Sequence, residues 1–261
     1  MRILTRGAMI STDVQNRALA IFFGILVCFS SVCSAEETKI SEFSKNVTFH
    51  VLFHELAHAL IREFELPVLA NEEAMADSFS TIWITQMMRD QAPSIITART
   101  QSWLQEDSEI SFENYDFKGE HLLDIRRAYQ TACLFYGLDP AEYEEYIQWL
   151  EFSENDLADC SDTAPDQERG WLDVLAPYRL SSDNPSTNVE LIYGEGPMKK
   201  VMEKSGLMSE FVAHVVLFDW PANITVHFDH CDMGASWSRS KKRILLCDDY
   251  VQRFIQQGEN I

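Results

Sequence analysis

Residues 44–63 read SKNVTFHVLFHELAHALIRE, and this stretch decides the fold. Val47, Val51, Phe53, Leu56, Ala57, Leu60 and Ile61 recur at helical spacing and make an apolar face broad enough for a buried helix. Pro67 prevents a simple continuation. Asn71 is a good N-cap for a second helix that carries Met75, Phe79, Ile82 and Met88. The intervening LIREFELPVLAN, 60–71, is long enough to turn the chain back and lay the second helix on the first.

The first helix contains HELAH, residues 54–58. Positions i and i+4 share a helix face, so the imidazoles of His54 and His58 can reach one zinc ion at about 2.0–2.1 Å. Glu55 stands beside the first ligand, where its carboxylate can act on a water without occupying a coordination position. Two histidines that merely packed a helix would have no use for Glu55. A third ligand is needed, and NEEAMAD (71–77) supplies Glu73, with Asp77 one turn later. One carboxylate can bind the metal while the other accepts an imidazole N–H and fixes that ring. Glu72, Glu73 and Asp77 also suit an acidic helix start favoured by the macrodipole. Glu73 is preferred over Glu72 as ligand because it forms an E-x-x-A-D pattern with Ala76 and Asp77.

Further along, residues 97–118 are mixed and acidic, with room for a short helix. HLLDIRRAYQTACLFYG (121–137) has helical spacing, with Gly137 as its expected stop and Pro140 in the first turn of the next helix. Residues 153–188 are polar and read as loops and short helices. ITVHFDH (224–230) alternates as a strand does, and RILLC (243–247) reads as its partner. The expectation is an α-rich α+β fold, with a zincin-like pair of helices and a small sheet from the last third of the chain.

The 261 residues are 46% hydrophobic and 24% charged, which excludes a disordered chain. A net charge of −20 repels phosphate backbones and argues against nucleic-acid partners. Arg2, Arg6 and Arg17 precede an apolar run, residues 18–29, and then small residues up to Ala35. That pattern predicts a signal peptide over 1–35 and a mature domain over 36–261, exported to the periplasm or secreted, with no stable membrane anchor after cleavage. Four Cys remain in that mature chain; proximity in sequence favours Cys133 with Cys160 and Cys231 with Cys247. Trp149, Trp171, Trp220 and Trp237 are expected as core anchors, and His50, His214 and His230 as packing or surface residues. Asn46 and Asn223 begin glycosylation sequons, and no P-loop, dinucleotide or GxSxG motif is present.

HELAH with the downstream E-x-x-A-D helix resembles the gluzincin metallopeptidases. More narrowly, the chain resembles a bacterial family of exported proteins described as putative metallopeptidases, formerly a domain of unknown function. The block 121–140, the region around Cys160 and the terminal CDMGASWSRSKKRILLC (231–247) carry the rest of the likeness, which spans most of residues 46–254. After the last Cys the family has an aromatic-acidic pair where this chain has Asp248 and Asp249. The resemblance implies a zincin-like fold without implying a substrate. Hydrolysis also needs a donor for the developing oxyanion. His121, opening its helix, is the first candidate, with Tyr115, Arg126 and His227 behind it. The resulting reading is a Zn2+-dependent peptidase acting on peptide or protein substrates. His54, His58 and Glu73 hold the metal, Glu55 is the general base for a zinc-activated water, and Asp77 orients a ligand. The rivals are a non-catalytic zinc-stabilised binding module and a zinc hydrolase of a non-peptide amide.

Overall fold

A computed structural model describes residues 39–69 and 71–261, all within one unit, Thr38–Ile261. The expected signal peptide over 1–35 lies outside the described residues. Helix α1, Glu42–Glu63, is capped by the Ser41 side chain, which accepts from the Ser44 backbone N–H. Sixteen of its 22 residues are buried, so it forms the axis on which the other elements pack. Helix α2, Glu72–Met87, starts at Asn71, whose side chain accepts from the Ala74 N–H. It returns along α1, as the capping signal and the connecting length predict.

Helix α3 runs over Ala92–Ser108 with Pro93 in its first turn, so it starts earlier and is longer than the short helix expected within 97–118. Helix α4 covers Asp124–Leu138 and α5 covers Pro140–Ile147. Gly137 therefore lies inside α4 and does not stop it. Its role is close approach: a Cβ there would sit 2.2 Å from the Cys160 carbonyl oxygen of the crossing helix. That crossing helix, α6 (Glu154–Leu175), replaces most of the loops expected over 153–188. A reciprocal capping box between Ser153 and Asp156 starts it, and Cys160, Ala164, Trp171 and Leu175 bury one stripe. The Cys133–Cys160 disulfide ties α4 to α6.

The sheet comes from the last third. Strands β1 (Val189–Tyr193), β2 (Ile224–Asp229), β3 (Ala235–Ser238) and β4 (Arg243–Cys247) lie in the order β1-β2-β4-β3. β1, β2 and β4 are mutually parallel, and β3 runs antiparallel to β4 at one edge. Of the two inner strands, β2 alternates buried and half-buried positions and β4 is buried on both faces from Ile244 onward. Short helices α7 (Lys199–Ser205) and α8 (Leu207–Val215) lie between β1 and β2, and α9 (Asp248–Gly258) closes the chain against α1. The Cys231–Cys247 disulfide secures the end of β4. The molecule is thus α-rich α+β with a small C-terminal sheet. Trp171 and Trp220 are buried, but Trp149 is 42% exposed, because it stands on the short turn after α5 and only its ring N–H is engaged, by the Tyr146 carbonyl.

Candidate metal centre

The middle of α1 and the first turns of α2 meet in a cleft of about 600 Å³, roofed on one side by β3. His54, Glu55, His58, Glu72, Glu73, His121 and Trp237 are among its walls. Nε2 of His54, Nε2 of His58 and Oε2 of Glu73 converge at its floor. The pairwise distances are 3.1 Å between the two nitrogens, 3.0 Å from His54 to Glu73 and 3.4 Å from His58 to Glu73. Ligands bonded tetrahedrally to zinc at about 2.0–2.1 Å lie roughly 3.3 Å apart, so this triangle has the right size.

The chemistry of the donor set points the same way. Nδ1 of His54 lies 2.8 Å from Asp77 Oδ1, and Nδ1 of His58 lies 2.9 Å from Glu72 Oε1. Ionised carboxylates only accept, so both Nδ1–H groups donate, and once a metal displaces any Nε2 proton both rings turn a lone pair toward it. Asp77 is held ionised by Arg127, which donates to both its oxygens at 2.8 and 2.9 Å. Glu72 is paired through its other oxygen with Arg62. Three donor atoms this close repel unless a proton or a metal cation lies among them. The residues present therefore fit a divalent metal that accepts nitrogen and oxygen donors.

Without a metal, protons take its place. Burial pushes His54 toward its neutral form, yet Asp77, Glu73 and Glu55 outweigh it and hold its pKa at about 9. His58 is also raised: Glu73, Glu55 and Glu72 act against burial and against His54. Glu73 and Asp77 are both held below the ordinary carboxylate range in spite of burial. Hydrogen bonds from His121, His54 and His58 do this for Glu73, and Arg127 with His54 does it for Asp77. Glu55 is the exception. Burial raises its carboxyl, against the pull of His54, His58 and the Trp237 backbone amide.

The structure brings together His54, Glu55, His58, Glu73, Asp77 and His121. It does not place His121 at a helix start, because α4 begins three residues later. The loop is instead drawn toward α2, with Asn71 donating to the Glu120 carbonyl and His121 Nε2 lying 2.9 Å from Glu73 Oε2. The other oxyanion candidates are elsewhere: Tyr115 donates to Asp107, Arg126 is exposed, and His227 lies on β2 beside Arg243. Arg127 and the orienting role of Glu72 escape the sequence reading. Glu72 carried a signal, since it precedes Glu73 in the same helical turn; Arg127 carried none, being one of two adjacent arginines.

No curated protein and no solved structure matches the chain. A family model described as "Putative metallopeptidase" matches residues 20–175, a span that contains α1, α2 and the cleft loop but not the sheet. That match covers more than half of the sequence, and the chain belongs to this metallopeptidase family.

Proposed function

We propose that the chain is an exported, zinc-dependent peptidase, matured by removal of residues 1–35 to leave one catalytic domain, 36–261. The observation that carries the reading is the convergence of two imidazole Nε2 atoms and one carboxylate oxygen within 3.4 Å, each imidazole oriented from behind by its own carboxylate. Zinc, when bound there, supplies a Lewis acid that acidifies water and polarises the scissile carbonyl. Glu55, buried and with its carboxyl pKa raised, is suited to take the proton from water and return it to the leaving amine. His121, half exposed at the cleft mouth, is the group assigned to the oxyanion.

Two features favour a peptide over another amide. Among the described residues β3 pairs with β4 alone, so its other edge offers backbone groups to an extended chain, apart from the Trp237 N–H, which Glu55 engages. Ala235, Ser236 and Trp237 of that strand line the cleft itself. The cleft also speaks against a zinc-stabilised binding module, whose metal would be enclosed by four protein ligands. Export agrees with the two disulfides, and no helix among the described residues is long and apolar enough to cross a membrane. The test is metal content per chain for the native protein, His54→Ala and Glu73→Ala. One zinc in the native protein and little in either variant is expected; full zinc in Glu73→Ala removes the third ligand from the proposal.

A further inference from the structure

A second cavity, of about 280 Å³, adjoins the cleft and shares His54, Glu55, His121 and Ala235 with it. It lies toward the start of α1, away from His58 and Glu73, and His50, Arg99, Arg127 and Tyr250 complete its polar lining. Two of these are almost wholly buried and incompletely satisfied. His50 is 1% exposed with Nε2 unpaired, and Arg99 is 3% exposed with Nε unpaired. Arg99 donates only through Nη1, to Ser102, and its nearest carboxylate, Glu106, is 3.8 Å away. The guanidiniums of Arg99 and Arg127 lie 4.0 and 4.6 Å from the Trp103 ring centre, which fixes both. A buried guanidinium that is incompletely paired is costly, and Arg99 lines a cavity in which a ligand can supply a partner.

We infer that this cavity binds a carboxylate of the substrate, on the side of the scissile bond that departs as the amine. The inference rests on the peptidase reading above. Of the two guanidiniums in the cavity walls Arg127 is already paired with Asp77, and Arg99, which hydrogen-bonds only the neutral Ser102, is the one that suits an anion. Glu55 is the group that hands a proton to the leaving amine, so the residue beyond it is C-terminal to the cut. The cavity, at about 280 Å³ against about 600 Å³ for the cleft, has room for a terminal residue. The carboxylate has two sources: the chain terminus, which makes the enzyme a carboxypeptidase, or an Asp or Glu side chain.

The test is calorimetric binding to the zinc-loaded Glu55→Gln protein, which holds substrates without turning them over. Four matched peptides are compared: a free acid, its C-terminal amide, and amidated peptides with Glu or with Gln after the scissile bond. The free acid, the Glu peptide or both should bind at least about tenfold more tightly than the neutral counterpart, and which one does so names the source. Adding Arg99→Gln should abolish that preference, and Arg99→Lys should keep part of it. Equal binding of all four peptides, or an equal loss for charged and neutral peptides in Arg99→Gln, overturns the assignment. If Arg99→Gln does not fold, Tyr250→Phe replaces it: a preference reduced severalfold supports the site and an unchanged one overturns it. A native protein that cleaves none of the peptides, while Glu55→Gln still discriminates among them, removes the peptidase reading and leaves the carboxylate site standing.

Discussion

Replacing Asp77 by Asn separates its two jobs. The residue is 7% exposed, and its carboxylate accepts from His54 Nδ1 at 2.8 Å and from Arg127 at 2.8 and 2.9 Å. Asn keeps the shape but loses the charge, so His54 becomes a less basic ligand with a less firmly fixed tautomer, and the guanidinium of Arg127 keeps only the more distant Asp124, at 3.8 Å. Loss of such an outer carboxylate costs about 10–100-fold in metal affinity. Breaking a buried ion pair from one side costs about 3–5 kcal/mol of stability. Zinc affinity, by competition with a chromophoric chelator, and the melting temperature of the metal-free protein should therefore both fall. Adding Arg127→Met to Asp77→Asn removes the orphaned charge and should restore much of the stability but none of the affinity. Zinc affinity within twofold of native in Asp77→Asn, or affinity that recovers together with stability in the double variant, refutes the positioning argument.

Other outcomes follow from the same geometry. His121→Ala should keep its zinc and lose about 10²–10³ in kcat on a peptide substrate, the usual cost of one oxyanion donor; loss of zinc instead makes His121 a ligand and favours a closed, non-catalytic site. In the metal-free protein His54 titrates at about 9, above its ordinary 6.5, so its contribution is fully present below pH 6.5 and is lost as pH rises through 9. Thermal melts of the metal-free protein should therefore fall between pH 6.5 and 9, while the zinc-loaded protein, in which the metal replaces the proton, should not show that fall. Asp77 and Glu73 act with the opposite sign: held below the ordinary carboxylate range, they stabilise above about pH 4 and lose that contribution on acidification. Gly137→Ala should destabilise by about 1–3 kcal/mol in urea unfolding, because its Cβ meets the Cys160 carbonyl at 2.2 Å; an unchanged midpoint means that α4 and α6 separate easily.

Legibility in the sequence followed the strength of the local signal. Helices α1 and α2 announce themselves through apolar spacing, the Asn71 cap and HELAH, and their antiparallel pairing follows from the short connection. Helix α6 had a signal that composition obscured. Ser153 and Asp156 form a capping box, and Cys160, Ala164, Trp171 and Leu175 keep helical spacing, but the exposed face is acidic and carries Pro165. Strand β1 is five residues at the sheet edge, half exposed in alternation, too brief for the period to stand out. Arg127 depends on tertiary geometry alone: neither its neighbours nor its spacing distinguishes it from Arg126, and only the crossing of α4 over α2 selects it. The cavity beside Glu55 is of the same kind, since Arg99 and Tyr250 come from α3 and α9, far apart in sequence.

The most direct test of the central claim is cleavage of a broad peptide library by the native mature protein and by Glu55→Gln, with zinc measured on the same samples. About one zinc per chain in both and cleavage only by the native protein are expected. Zinc in both with no cleavage by either, or equal cleavage by both, contradicts the claim.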